Sequence, residues 1–489
     1  MTNRKTGVRK ALTFSFAQNY TSLIFNLLTV IIVSRLLTPE QIGVFSVAAA
    51  LVALVHTLRD FGVSEYLVQE RLLDEAKIRT AFTLNLIIAW LLAAILFLTS
   101  NLISRFYGNP GVGQVVKVLG AIFILLPFGT TAMARLRRNM AFGALYKIRL
   151  CETVVRSGLT IGLAFAGFSY MSMAWASLAA MLALIVACTV WGWEYRVRGL
   201  DLSQWRCILP FSVNRTVADL ATRIGMQSAD IVVGKMLGMV AAGLYSRGYG
   251  IVNLFREKVI NSVNLVAFPA FAREHRERDA GPELFVRSLV YLTGISWPFF
   301  GFAILLAAPL IRLLFGDQWD AAVPVMRWLC GAAILGTLLF QCSDFFTAIG
   351  RVGVVTTVEI QYQLVRFGIV IIAAFYSITA VAASQVLVYA IAVVLYYRKL
   401  TQYEALRLRK IAVALLPSTL VTVTSCIVPA VIFVWPDFIL GHYLLALVLA
   451  TIGCGLGWLL GLILTNHPLM VEIRNGVANS YRYFRGLQD

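Results

Sequence analysis

An all-α polytopic membrane protein with about fourteen spanning helices is the fold class this sequence predicts, and three observations carry it. The 489 residues are 59% hydrophobic and only 13% charged, about half the charged share of an ordinary globular domain. Apolar stretches of about 20 residues, the length that crosses a bilayer core, recur along the chain. The first third of the chain is also echoed two hundred positions later. Val33-Ser34-Arg35-Leu36-Leu37 returns as Val233-Gly234-Lys235-Met236-Leu237, and Gly43-Val44-Phe45-Ser46 as Gly243-Leu244-Tyr245-Ser246. With small shifts of register, Ile103 to Gly108 matches Ile311 to Gly316, and Val155-Arg156-Ser157-Gly158 matches Val365-Arg366-Phe367-Gly368. Duplicated halves in a membrane protein point to a transporter, because substrate sites form where repeats face each other.

The candidate spans run over residues 11–35, 41–62, 80–104, 111–133, 146–168, 170–193, 208–234, 239–265, 285–312, 322–348, 352–375, 378–397, 411–435 and 440–465. The fifth, seventh and eighth carry the most polar groups. The first is too long for a removable signal and is expected to be retained. Loop charge sets the orientation, since cytoplasmic connections are enriched in Lys and Arg. Arg4, Lys5, Arg9 and Lys10 precede the first span; Arg71, Lys77 and Arg79 follow the second; Arg135, Arg137, Arg138 and Lys147 follow the fourth. Arg398, Lys399, Arg407, Arg409 and Lys410 continue the alternation, and the opposite connections hold little more than Arg35, Arg105, Lys235 and Arg312. Both termini are therefore expected on the cytoplasmic side of the membrane. Residues 1–200 form an expected N-lobe of six helices, 201–405 a C-lobe of six, and 406–489 a final helix pair with a cytoplasmic tail. The lobes are parallel repeats about an axis normal to the membrane. Gly453, Gly455, Gly457 and Gly461 in the last helix permit close helix approach. Met470, Ile473, Val477, Tyr481 and Phe484 share one face of the tail if it is helical, as on a leaflet-bound amphipathic helix.

Several function classes are disfavoured. The net charge of +18 is scattered between hydrophobic spans, as loop charge is, and not gathered into a nucleic-acid patch. Seven cysteines without CxxC spacing read as packing residues. The four histidines lack metal-ligand spacing, and no P-loop or GxGxxG run appears. External loops too short for a catalytic domain argue against a membrane glycosyltransferase or polymerase. No catalytic residue, metal or cofactor is expected.

Ionisable residues at membrane depth are costly and mark cavities or partners. Arg215, Asp219 and Arg223 lie at i, i+4 and i+8 on one helix face, with Asp230 beyond them. The repeat sets them against Ser15 and Asn19 on the first helix, where Gln18 and Asn19 belong to a neutral polar stripe. Glu152 and Arg156 are spaced i, i+4 in the fifth span, and Glu359 and Arg366 i, i+7 in the eleventh. Arg247 lies deep in the eighth, and Asp344 lies in the tenth. Pairing of Glu152 with Arg156 is one reading. A carboxylate for a coupling ion at Glu152, Glu359, Asp230 or Asp344 is another. The pair Arg59-Asp60, at the inner end of the second span, reads as structural. Arginines exceed carboxylates, and a guanidinium offers the permanent forked donors that suit phosphate, so an anionic substrate is expected.

Ser34-Arg35-Leu36-Leu37-Thr38-Pro39-Glu40-Gln41-Ile42-Gly43 resembles the signature that follows the first helix of bacterial polysaccharide flippases. Asp60-Phe61-Gly62, Asp230-Ile231-Val232-Val233-Gly234, the Gly243 to Ser246 run and Leu314-Phe315-Gly316-Asp317 are similar to that family's other landmarks. The resemblance is to the Wzx-like polysaccharide transporters of the multidrug/oligosaccharidyl-lipid/polysaccharide (MOP) exporter superfamily, over most of residues 8–400. It implies two six-helix bundles, alternating access, and flipping of undecaprenyl-diphosphate-linked oligosaccharide to the outer leaflet for exopolysaccharide, capsule or O-antigen. It also implies cavity arginines on the first and seventh helices; Arg215 and Arg223 fit, whereas the first helix offers only Gln18 and Asn19. Coupling to H+ or Na+ is a superfamily expectation. The partners implied are the lipid-linked oligosaccharide, membrane lipids and the polysaccharide polymerase or export machinery, with no nucleic acid. Rivals are a cation-coupled multidrug exporter or a lipid II flippase of the same superfamily, and a non-transporting scaffold.

Overall fold

Every described element is a helix. The computed structural model describes residues 2–59, 67, 74–195, 197, 199–277, 281–404, 407–435 and 443–475. Within these, the side chains of 2–17, 195, 207–219, 221, 260–262, 264–266, 275–277, 281–282, 404 and 443 lie outside the description. In chain order the helices are α1 (Thr2–Leu36), α2 (Pro39–Arg59), α3 (Glu75–Tyr107), α4 (Pro110–Arg138), α5 (Phe142–Phe165), α6 (Met171–Trp191), α7 (Trp205–Met236) and α8 (Gly238–Phe255). They continue as α9 (Asn261–Glu277), α10 (Gly281–Leu305), α11 (Ala307–Phe315), α12 (Val323–Gly336), α13 (Cys342–Ala348), α14 (Val352–Ala374), α15 (Ile378–Glu404), α16 (Leu408–Val434) and α17 (Tyr443–Leu464).

Among the described residues, ten helices are long and apolar enough to cross a membrane: α1 to α4, α6, α10 and α14 to α17. The helices outside that set include α5, α7 and α8, which are the spans richest in polar groups. The expected span over 322–348 is divided: α12 stops at Gly336, and α13 begins at Cys342. Leu338 and Leu339 are held there by tighter i→i+3 bonds to Leu335 and Gly336. The Leu338 carbonyl, lost to the helix ladder, accepts from the Tyr397 hydroxyl at 3.3 Å. A five-residue π turn, Arg256–Ile260, joins α8 to α9.

The helix ends follow from local chemistry. Gly108 ends α3 in the left-handed region (φ 64°), its N–H bonding back to the last turn. Asn109 then caps α4 by accepting from the Gly111 N–H at 2.9 Å, and Pro110 supplies the fixed φ that a first helical residue needs. The repeat partner of Gly108, Gly316, also has positive φ (99°) and ends α11. Asp74 caps α3 through the Lys77 N–H at 2.7 Å.

The chain divides into two compact units, Met1–Gly243 and Leu244–Asp489. In the first, α3 packs on α4, α5 on α1 and α6, α4 on α6, and α7 on α2. Repeat-equivalent glycines meet here. A Cβ on Gly43 would run into the Met239 carbonyl, and one on Gly243 into the Pro39 carbonyl. The two contacts mirror each other residue for residue at the two-hundred-residue offset of the repeat. Each echoed glycine therefore serves backbone contact between the starts of α2 and α8.

In the second unit, α10 packs on α12 and α16, α15 on α12 and α14, and α16 on α17. One of its buried clusters joins Phe271, Phe285, Phe345, Phe346, Tyr396 and Tyr397. Three of the four glycines expected to bring α17 close to a neighbour do so: Gly453 meets Val428, and Gly457 and Gly461 meet Thr424, all on α16. Gly455 faces open space. After α17, residues 468–475 are helical; Val477, Tyr481 and Phe484 of the expected amphipathic face lie outside the described residues. The buried His467 fastens this segment to α10 and α16. The Leu469 N–H donates to its Nδ1 at 3.2 Å. The imidazole proton is therefore on Nε2, which lies 3.1 Å from Ser418 Oγ. Thr293 of α10 donates to that same hydroxyl at 2.9 Å. Burial holds the His467 pKa below the usual histidine range.

Candidate functional site: a cationic cavity in the first unit

A cavity of about 780 Å³ opens inside the first unit, walled by α2, α4, α5 and α6. Much of its wall is apolar, from Phe45 and Val52 on α2 through Leu119 and Leu126 on α4 to Met181 and Leu184 on α6. Against this stand four arginines, Arg59, Arg137, Arg149 and Arg156, with one carboxylate, Glu152, and one imidazole, His56. The charge balance is positive even with His56 neutral.

Three helices place these cations for separate reasons. His56 and Arg59 occupy the last turn of α2, and Arg137 the last turn of α4, where a helix dipole favours positive charge. The neighbours of Arg137 bond elsewhere. Arg138 donates to the Leu67 carbonyl at 3.0 Å, and Arg135 lies 3.5 Å from Glu75. On α5, Arg149, Glu152 and Arg156 follow at i, i+3 and i+7, which puts them on one face. Arg149 Nη1 donates to Glu152 Oε2 at 2.8 Å, and Arg156 Nη2 donates to Oε1. The carboxylate is buried between two more open guanidiniums: side-chain exposure is 10% for Glu152, 34% for Arg149 and 49% for Arg156. Among the described residues, Phe45 and His56 are the aromatic rings of the lining. What the wall offers is a forked, permanently charged set of donors in an apolar frame, which suits a phosphate group.

Of the residues singled out in the sequence, Glu152 and Arg156 meet in this cavity, paired as their spacing suggested. Arg215, Asp219 and Arg223 share one face of the unbroken α7; Arg223 is exposed, and the side chains of the other two lie outside the described residues. Asp230, further along α7, is half-buried. Gln18 is half-buried and Asn19 exposed on α1, and neither belongs to the lining. In the second unit, Arg247 sits under the rings of Phe315 and Trp319, 5.9 and 5.7 Å from their centroids. Glu359 accepts from the Tyr396 hydroxyl at 2.7 Å and from Gln363 Nε2 at 3.3 Å. Arg366 is buried beside the phenols of Tyr362, Tyr389, Tyr245 and Tyr249. Asp344 is half-buried on α13. Among the described residues, no group of three His, Cys, Asp or Glu could hold a metal ion.

Sequence reasoning passed over Arg59, Arg137 and Arg149 as cavity residues. Arg59 and Arg137 read as inner-face charges, and nothing along the chain shows that α2 and α4 bring them into the cavity that α5 lines. Arg149 was legible from its i, i+3 spacing to Glu152.

Comparison with known proteins places the cavity within a recognised stretch. The profile of a family described as polysaccharide biosynthesis protein matches residues 32–324, which include every cavity residue. The chain is 24% identical over 329 residues to the lipopolysaccharide biosynthesis protein WzxC of Escherichia coli (strain K12), covering 66% of each. It is 26% identical over 306 residues to the teichuronic acid biosynthesis protein TuaB of Bacillus subtilis (strain 168), covering 60% of this chain and 61% of that one. It is 26% identical over 337 residues to the succinoglycan biosynthesis transport protein ExoT of Rhizobium meliloti (strain 1021), covering 66% and 65%. The alignments thus span 61–66% of these relatives' lengths. Among solved structures, the lipid II flippase MurJ in an inward closed conformation superposes with a TM-score of 0.73 at 12% identity, over 91% of this chain and 98% of that one. An inward-facing multidrug resistance MATE family transporter of the MOP superfamily gives 0.61 at 17%, over 80% and 95%. At such identities the likeness is one of fold.

Proposed function

Because the chain belongs to the polysaccharide biosynthesis protein family, we propose that it flips a polyprenyl-diphosphate-linked oligosaccharide, of the undecaprenyl type, from the inner to the outer leaflet of a bacterial cytoplasmic membrane. The product serves exopolysaccharide, capsule or O-antigen synthesis. The chain acts as a transporter and not as an enzyme. In this reading α1 to α17 supply fourteen spans, with both termini in the cytoplasm, and work by alternating access coupled to H+ or Na+. A polymerase or export complex takes the product.

The observation that carries this proposal is the excess, among the described residues, of four arginines over one carboxylate in a partly apolar cavity. Arg149 and Arg156, with Arg59 and Arg137 of the same lining, hold the diphosphate, the group common to all such carriers whatever the glycan. The lipid tail stays in the bilayer. A cavity built for organic cations would carry the opposite charge excess, which disfavours a drug exporter. A lipid II flippase shares the diphosphate chemistry, and the MurJ-like fold keeps it as the second reading.

Depletion of the protein separates these. Mass spectrometry of lipid extracts is expected to show lipid-linked repeat units accumulating, shielded from an enzyme added outside spheroplasts, with surface polysaccharide lost. Accumulated lipid II in their place would select the second reading. Lipid intermediates at normal levels and fully accessible from outside would end both.

A further inference from the structure

Glu152 stands out in the cavity wall. Among the described residues it is the one carboxylate of the lining, it is buried, and both its oxygens are engaged by arginines that are themselves more open. Each guanidinium commits one donor group to Glu152 and retains others from its set of five N–H bonds. The carboxylate therefore occupies the donors that an incoming phosphate would seek.

We propose that Glu152 is a resident counter-ion, displaced from Arg149 and Arg156 by a phosphate group of the substrate. The proposal rests on the diphosphate reading given above. Two neighbouring guanidiniums in an apolar wall repel each other and are costly to leave uncompensated. Glu152 relieves that cost while the cavity is empty. A diphosphate brings more negative charge and more acceptor oxygens than one carboxylate, and it matches the same forked donors, so it wins the exchange. The ion pair given up offsets part of the binding energy. A carrier needs that offset, because a site must bind firmly enough to load and weakly enough to release. If Glu152 were only a splint holding the two arginines in place, its removal would weaken binding. If it is a competitor, its removal strengthens binding.

The sign of one affinity change decides between them. Purified full-length protein in lipid nanodiscs is titrated calorimetrically with inorganic diphosphate. Glu152→Gln is expected to bind about tenfold more tightly than the unaltered protein, the loss of one competing charged hydrogen bond. Arg149→Ala and Arg156→Ala are expected to bind at least about tenfold more weakly. Glu152→Asp should stay near the starting affinity. In cells, Glu152→Gln should lower turnover despite its tighter binding, a split that a folding defect does not produce. Thermal melting checks that each variant is folded, and Glu152→Met, an unbranched apolar replacement, gives the same sign if the glutamine variant is not. Weaker diphosphate binding in Glu152→Gln and Glu152→Met would overturn the proposal and leave Glu152 a positioning residue, with the cavity still the phosphate site. Binding unaltered by either arginine replacement would remove the cavity from the phosphate reading itself, and this inference with it.

Discussion

Helices α5 and α14 carry the same Val-Arg-x-Gly segment, yet Arg156 opens into a cavity and Arg366 is sealed in a core. In the register that aligns the two arginines, Glu152 falls on Tyr362 and Arg149 on Glu359. The first unit thus has a carboxylate between two guanidiniums, with open volume beside them. In the second, the ring of Tyr362 stacks with that of Tyr389 at 6.5 Å, and Glu359 is taken up by Tyr396 and Gln363. Arg366 retains 5% exposure. An arginine at membrane depth is therefore not a site in itself. It becomes one where its neighbours leave space and other cations converge on that space.

The largest expected effect tests this directly. Arg149→Ala combined with Arg156→Ala should reduce flipping about 100-fold, the loss of two charged contacts to phosphate. Arg366→Met should reduce it less than about threefold. Outer-leaflet accessibility of the lipid-linked repeat unit measures both, and an equal loss at Arg366 would erase the distinction between the two helices.

Glycines sharpen it next. Gly158 and Gly368 follow the two arginines in the repeat, and a Cβ at either meets nothing within 4 Å. Alanine at each should raise stability by about 0.5–1 kcal/mol. Gly43→Ala, which drives a methyl into the Met239 carbonyl, should cost about 2 kcal/mol or more. Thermal melts in detergent read all three.

A smaller loss is expected from Tyr396→Phe. It removes the hydroxyl from which Glu359 accepts and should cost about 1 kcal/mol in the second unit, because Gln363 still donates to the carboxylate. The same melting assay should show diphosphate binding in the first unit unchanged.

The least effect concerns His467, which lies beyond the membrane spans. Its pKa is lowered by burial, so the unfolded chain takes up a proton more readily than the folded one. The stability it supports is complete above the ordinary histidine pKa and is lost as pH falls through the folded value. Protonation of Nδ1 would also end the bond from the Leu469 N–H. Hydrogen exchange over 468–475 should therefore quicken in acid, and His467→Phe should abolish that pH dependence.

Sequence alone determined the all-helical membrane class, because the bilayer demands long apolar runs with every backbone group satisfied within its own helix. It also brought Glu152 within reach of Arg156, since helical spacing fixes which side chains on one helix are neighbours, although it left pairing and ion coupling both open for that carboxylate. The weakly apolar spans were legible too, from the polar groups in α5, α7 and α8. Tertiary structure alone decided that Arg59 and Arg137, from α2 and α4, line one cavity with Arg149 and Arg156, that Arg366 is enclosed by tyrosines, and that Gly43 meets Gly243. Periodicity orients a side chain about its own axis. It does not say which other helix that face will meet, and this choice separates a cavity from a core.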